Sequence, residues 1–202
     1  MGKYKSRKVR GMKNSIRTCC TLAAGVIFLF GTALPANAGP RFSFFGDLDN
    51  SVYSSGGTQS SGQPGYGGGL GIEIPLGSSS GIEIDGIYQN RNNQIQASWV
   101  QIPVLYRLWL GTFFSLGAGV YYGTGIGSVS TNGTTESFSS AGYSQSDAGL
   151  MGVAGFNIPI SSLYLMIEGR YGYGVYDVSS IQGTTATFND LQIVVGIRLG
   201  SF

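Results

Sequence analysis

The stretches SWVQIPVLYRLWL (residues 98–110) and FFSLGAGVYYG (residues 113–123), joined by only two residues, decide the fold. In both stretches large apolar side chains occupy every second position, which is the pattern of a β-strand with one apolar face. The other face carries Gln101 and Arg107 in the first stretch and small residues in the second. Two such stretches with a tight connection predict an antiparallel hairpin.

Six further segments alternate in the same way, so we predict an all-β chain of eight antiparallel strands. These segments are residues 41–53, 66–76, 81–89, 148–158, 163–176 and 191–199. Their connectors are alternately long and short, which is typical of an up-and-down transmembrane β-barrel with short periplasmic turns and long outer loops. We therefore expect both chain ends on the periplasmic side.

The two faces of the predicted strands favour a membrane barrel over a soluble one. The apolar rows run over 9–13 residues, and a tilted strand needs about 9–11 residues to cross a membrane. The opposite face is rich in glycine, and eight strands leave room only for a packed interior. Because buried charges need partners, we predict a polar network that fills the lumen. Its members are Glu73, Glu83, Asp85, Gln101, Arg107, Glu168, Arg170, Gln192 and Arg198.

Aromatic residues near the predicted strand ends suggest girdles at the two membrane interfaces. They are Tyr53, Tyr66, Tyr88, Trp99, Trp109, Phe113, Tyr122, Tyr164 and Tyr176. Pro103 lies inside the fourth predicted strand, where it cannot donate to the sheet, so we expect a bulge there. The terminal aromatic Phe202 is out of phase with Leu199, and a bulge at residues 200–201 would restore the phase.

Residues 98–107 and 113–123 resemble the middle of a family of small outer-membrane barrels, often labelled "porin family" or PorT-like. Its members show an aromatic-x-x-Ile-Pro-x-x-x-(Lys/Arg) strand, with a proline at the same place, followed by an aromatic-rich Gly-x-Gly strand. The layout is also similar to the OmpX and OmpA barrels. The resemblance implies the fold and an outer-membrane location, but no particular activity.

The first 38 residues show the three parts of a secretory signal peptide in the expected order. Residues 1–17 carry seven basic side chains and no acid, and residues 21–34 are an apolar run too short for a spanning helix. Since Ala36-Asn37-Ala38 fits the small-x-small rule, we expect cleavage between Ala38 and Gly39. The barrel domain is then residues 39–202, and translation could start at Met1 or at Met12.

The composition after residue 38 narrows the possible functions. Five arginines and no lysine stand against ten acids, a net charge of −5, so we expect no nucleic-acid partner. The chain has no histidine, and Cys19 and Cys20 belong to the predicted signal peptide. Ser–His and Cys–His nucleophilic sites and His- or Cys-ligated metals are therefore excluded. Asp47 and Asp49, read as loop acids, could bind calcium only weakly, because they lack EF-hand spacing.

We thus predict a monomeric, non-enzymatic protein without a cofactor in the outer membrane of a Gram-negative bacterium. It would contact the lipid bilayer and lipopolysaccharide and would be inserted by the barrel-assembly machinery. Its role would be structural or would lie in surface interaction through extracellular loops, with Phe138 and Tyr143 of residues 124–147 as possible contacts, and its lumen would be plugged. The alternatives are a small porin-like channel and a soluble secreted ligand-binding barrel.

Overall fold

A computed structural model describes residues 39–200 except 61, 93–95, 132 and 180–184. The strands are β1 (Arg41–Ser55), β2 (Thr58–Gln59), β3 (Gln63–Pro75), β4 (Ser80–Asn92), β5 (Gln96–Leu110), β6 (Phe114–Thr131), β7 (Thr134–Glu136), β8 (Ser146–Ile160), β9 (Leu163–Gly174) and β10 (Ala186–Leu199). Among these residues, no helix is long and apolar enough to cross a membrane. The predicted signal peptide and Phe202 lie outside the described residues.

Eight long strands, β1, β3 to β6 and β8 to β10, pair in a closed ring. Each pairs antiparallel with its neighbours along the chain, and β1 pairs with β10 from Phe42↔Leu199 to Ser55↔Ala186. Closure leaves no long strand with a free edge, as lipid requires. The prediction of an eight-stranded antiparallel transmembrane barrel is confirmed. We call the end that holds Arg41 and Leu199 the terminal end, and the opposite end the loop end.

The outer wall of the barrel is apolar and its interior is charged. Side chains alternate strictly between buried and exposed along most of β1, and the exposed ones are mainly large and apolar, with Leu48 63% exposed. All five arginines after residue 38 are buried inside, together with eight of the ten acids. A soluble barrel would show the reverse arrangement.

Seven of the eight long strands extend further toward the loop end than their alternation predicts. The prediction ends one strand at residue 123, whereas β6 continues to Thr131; β4 likewise runs to Asn92, and β10 begins at Ala186 instead of residue 191. Outward positions in these extensions are often polar, such as Thr124 and Asn189. Backbone pairing therefore continues where the apolar row, and with it the sequence signal, has ended. The short strands β2 and β7 lie within predicted connectors.

The bulge expected at Pro103 is absent. The pairing of β4 with β5 is interrupted between Ile84↔Val104 and Ile87↔Gln101, and the same register holds on both sides of the gap. On its other edge Pro103 stays in register with Tyr121 of β6. The sheet thus accommodates the missing N–H by omitting ladder pairs, without inserting an extra residue.

The interfacial girdle prediction is wrong for both tryptophans. Trp99 and Trp109 are only 2% and 4% exposed and lie inside the barrel. Both have the same parity as Gln101 and Arg107 on β5, so the alternation itself assigned them to the interior. Four of the predicted tyrosines do face outward and are exposed, namely Tyr66, Tyr88, Tyr122 and Tyr176.

Candidate functional site

The interior at the terminal end contains a dense set of ion pairs. Arg107 holds Glu168 through two parallel contacts of 2.8 Å each, a bidentate geometry, and donates to Glu83 at 2.7 Å. Arg198 approaches the same two carboxylates, at 2.8 Å from Glu83 and 3.4 Å from Glu168. All four side chains are buried, so each carboxylate is compensated by more than one arginine.

Arg170 extends these ion pairs across the lumen. From β9 it donates to Asp85 on β4 at 2.6 Å and to its neighbour Glu168 at 2.8 Å. In the ring order, β4 and β9 are separated by three strands on either side, so they form opposite walls. The guanidinium carbon also lies 4.9 Å from the ring centroid of Phe45, a favourable cation–π distance.

A further ion pair, with a tryptophan beside it, lies nearest the chain ends. Arg41 pairs with Glu73 at 2.8 Å, and the indole N–H of Trp109 donates to the same carboxylate at 2.7 Å. The guanidinium carbons of Arg41 and Arg198 each lie 5.1 Å from the Trp109 ring. Trp109 therefore links this pair to the ion pairs described above. We call the whole set the terminal-end cluster; it consists of Arg41, Glu73, Glu83, Asp85, Arg107, Glu168, Arg170 and Arg198.

The structure places the nine residues proposed for the lumen as follows. All nine are buried inside the barrel, and the seven charged ones belong to the terminal-end cluster. Gln101 and Gln192 approach each other instead, with the Gln192 amide donating at 3.4 Å.

A second set of buried polar residues lies toward the loop end. Arg91 pairs with Asp147 at 3.0 Å and with Asp190. Asp49 accepts from Ser51 at 2.6 Å, and Asp47 accepts a long 3.4 Å contact from Gln89. Among the described residues, one oxygen of Asp47 and one of Asp49 accept no hydrogen bond. We call this set the loop-end cluster; it consists of Asp47, Asp49, Ser51, Gln89, Arg91, Asp147 and Asp190.

This cluster was not predicted from the sequence, for a simple reason. Arg91, Asp147 and Asp190 lie one or two residues outside the predicted strand bounds, although their parity matches the inward face. Asp47 and Asp49 were taken as loop acids, but they lie in β1 and face the interior. Among the described residues, no group of three acids is placed to hold a metal ion.

An aromatic cap covers the loop-end cluster. Trp99 and Phe188 lie with their rings 5.9 Å apart, and the Arg91 guanidinium sits 4.9 Å and 5.0 Å from them. Phe138 packs edge-on against Trp99 at 5.6 Å and is 1% exposed, so it is not the surface contact suggested from sequence. Tyr53 and Tyr143 complete the cap, with ring centroids 6.1 Å apart. Burial in this layer, with Tyr53 beside it, raises the pKa of Tyr143 above its ordinary value.

A closed antiparallel barrel with an apolar outer wall and paired charges inside defines a transmembrane β-barrel protein. The chain belongs to the outer membrane protein beta-barrel domain family, whose model matches residues 21–198. It therefore sits in the lipid bilayer of a Gram-negative outer membrane, and the resemblance noted from sequence is confirmed.

Solved structures of small outer-membrane proteins are similar to this chain at low identity. Neisserial surface protein A (NspA) shares 14% identity with a TM-score of 0.51, covering 81% of this chain and 99% of NspA. OprG of Pseudomonas aeruginosa shares 15% with a TM-score of 0.47, covering 81% and 96%. Ail of Yersinia pestis shares 15% with a TM-score of 0.45, covering 79% and 98%. Among curated protein sequences, none matches this chain.

Proposed function

We propose that the protein is a non-conducting outer-membrane barrel that works as a rigid support for its loop-end surface. The observation that carries this proposal is the ion pair between Arg170 and Asp85, which joins opposite walls of the lumen at 2.6 Å. A bridge of direct side-chain contacts across the full width of the barrel, among side chains that are all buried, supports a lumen closed to ions at that level.

The composition of the terminal-end cluster supports a permanent plug. Four arginines face four carboxylates, and every member is buried. Breaking a buried pair leaves an uncompensated charge at a cost of about 3–5 kcal/mol. Several such pairs share Glu83 and Glu168, so the plug opens only if several contacts break together.

The loop end supports a role in surface interaction. The two acids that are not buried inside, Glu136 and Asp177, both lie there, and the remaining outer wall is apolar and uncharged. Directional polar contacts with a soluble partner are therefore concentrated at this end. NspA, the similar structure with the same fold, is described as a surface protein.

The remaining parts of the proposal concern biogenesis and partners. Residues 1–38 direct export and are removed after Ala38, and the barrel-assembly machinery inserts the mature chain as a monomer. The loop end then faces outward, next to lipopolysaccharide. The protein has no catalytic activity, cofactor or nucleic-acid partner.

Planar bilayer recordings test the plug. The purified protein is expected to give no steady conductance, whereas Arg170→Ala combined with Arg107→Ala should give small, noisy openings because two bridges are removed. A steady large conductance of the unaltered protein would favour the alternative of a porin-like channel. Membership of the outer-membrane family and the apolar outer wall decide against the soluble secreted barrel.

Thiol labelling of intact cells tests the orientation. A cysteine replacing the exposed Thr135 of β7 is expected to react with an impermeant reagent. Its matched control, Ser78→Cys in the short turn between β3 and β4, should react only after permeabilisation. The opposite pattern would place the loop end in the periplasm and remove the proposed surface role.

A further inference from the structure

A short segment at the loop end is folded down onto the barrel mouth. Residues 137–145 form a compact turn, in which the N–H of Tyr143 donates to the carbonyl of Phe138 at 2.8 Å and that of Ala141 to Ser137 at 3.0 Å. The turn buries Phe138 in the aromatic cap, and its half-buried Tyr143 packs against Tyr53 at the edge of the cap. Its other side chains are largely polar and are exposed or half-buried.

The attachment of this turn to the barrel is local. The N–H of Gly125 donates to Gln145 at 2.7 Å, that of Ser144 donates to Val178 at 2.8 Å, and Tyr143 forms an isolated bridge with Ser179. Below the turn, by contrast, β6 pairs with β8 without interruption from Phe114↔Phe156 to Thr124↔Ser146. Segments with few buried apolar contacts open at lower free energy than the elements that carry them.

The strand below the turn is shaped to receive Phe138. A Cβ atom at Gly125 would lie 2.3 Å from the Phe138 ring, so only glycine leaves room for the ring in this position. At Gly123, two residues away on the same inward face of β6, a Cβ atom would meet nothing closer than 3.7 Å. The Phe138 ring therefore packs against β6 at one position, Gly125.

The loop-end cluster beneath Phe138 carries an excess of acid. Within this cluster four aspartates stand beside one arginine, Arg91, a net charge of −3 when all are ionised, and Arg170 of the terminal-end cluster also attracts Asp47. If the turn lifts, water and soluble cations reach these carboxylates, while the terminal-end cluster still closes the lumen below.

We propose that residues 137–145 are a lid, latched by Phe138, over an acidic vestibule that is closed at its base. Lid opening would admit cations from the loop end without creating a channel. This inference does not depend on which side of the membrane the loop end faces, nor on whether the loops bind a partner.

Thiol accessibility in detergent micelles tests the lid. Ser51, fully buried beside Asp49, is replaced by the near-isosteric cysteine in the full chain carrying Cys19→Ser and Cys20→Ser, so that the new thiol is unique. We expect slow labelling by a cationic methanethiosulfonate while Phe138 is present. Phe138→Ala should raise the rate by about tenfold or more, the ratio set by about 1.4 kcal/mol of lost closure free energy.

A second variant displaces Phe138 by changing the strand against which it packs. Gly125→Ala is expected to displace the Phe138 ring and to speed labelling similarly, whereas Gly123→Ala, its matched control, should leave the rate unchanged. The shift in gel mobility on heating verifies that each variant is folded, and either opening variant alone is sufficient for the test.

The possible outcomes separate clearly. Fast labelling in every folded variant would mean that no lid closes the vestibule. Slow labelling in every folded variant would mean that the loop end is a solid plug. Equal rates for cationic and anionic reagents of the same size, once Phe138 is removed, would overturn the proposed preference of the vestibule for cations.

Discussion

The terminal-end cluster holds four arginines and four acids, whereas the loop-end cluster holds four aspartates and one arginine. Apolar side chains separate the two sets along several strands, such as Phe45 on β1, Ile87 on β4 and Val194 on β10. Both clusters are buried in the same lumen, so exposure to solvent does not explain why only one is balanced. The difference suggests that the balanced cluster serves stability, and that the unbalanced one is retained for another reason, such as the vestibule proposed above.

The largest expected effect comes from removing one arginine from each cluster in turn. Arg91→Leu should lower the free energy of unfolding by about 5 kcal/mol, because it leaves Asp147 and Asp190 without their cation. Arg107→Leu should cost less, about 3 kcal/mol, because Glu83 and Glu168 keep contacts with other arginines. Urea unfolding in lipid vesicles measures both values. Equal costs, or the reverse order, would show that the two clusters do not differ in redundancy.

A charge added to the outer wall separates the effect of lipid from the effect of the lumen. Ile193→Arg, with the side chain exposed to lipid, should cost about 2–4 kcal/mol. Its inward neighbour Gln192 is paired with Asp49 across β1 and β10, so Gln192→Lys places its charge beside the acid excess and should cost less than Ile193→Arg. If both variants unfold at the same urea concentration, the assignment of faces on β10 is wrong.

The sequence predicts the strands and their two faces more completely than it predicts the side-chain contacts inside the lumen. Period-two alternation identifies eight strands because the face in contact with lipid must be apolar without interruption. Residues such as Val100 and Ile102 show this requirement. At the loop end the strands leave the lipid while remaining paired, so Arg91 and Asp190 fall outside the predicted bounds. Parity alone, continued by two residues, would have found both.

Pair identities and the lid are beyond what alternation can predict. The contact of Arg170 with Asp85 joins residues on opposite walls, and which arginine reaches which acid depends on strand tilt and side-chain length. Phe138 lies in a Ser/Thr/Gly-rich connector, and no strand pattern extends to it. Gly125 lacks a Cβ and so allows another side chain to approach this face of β6 closely. The sequence contains many glycines, however, and does not distinguish this one.

A smaller effect should come from crowding the balanced cluster. A Cβ atom at Gly71 would lie 2.0 Å from Asp85 and 2.6 Å from Ser43, so Gly71→Ala must displace the carboxylate that Arg170 holds. The expected loss is about 1–3 kcal/mol in the free energy of unfolding. Gly86→Ala, facing outward with nothing within 4 Å, is the control and should be neutral or slightly stabilising. A loss at both positions would indicate a backbone requirement for glycine instead of a crowded carboxylate.

The smallest expected effect tests the imbalance itself. Asp49 has one oxygen without a partner among the described residues, and its neighbours include Asp190. Asp49→Asn keeps the shape and can still accept from Ser51, but it removes one charge from the excess. At pH 8 the free energy of unfolding should therefore rise by about 1 kcal/mol, because the repulsion of Asp49 by Asp190 and Asp47 is removed. Glu83→Gln in the balanced cluster should lower it instead, and Glu136→Gln on the surface should change it by less than about 0.5 kcal/mol. A stability loss in Asp49→Asn would mean that this carboxylate is already compensated, and the contrast between the two clusters would then lie in geometry and not in charge.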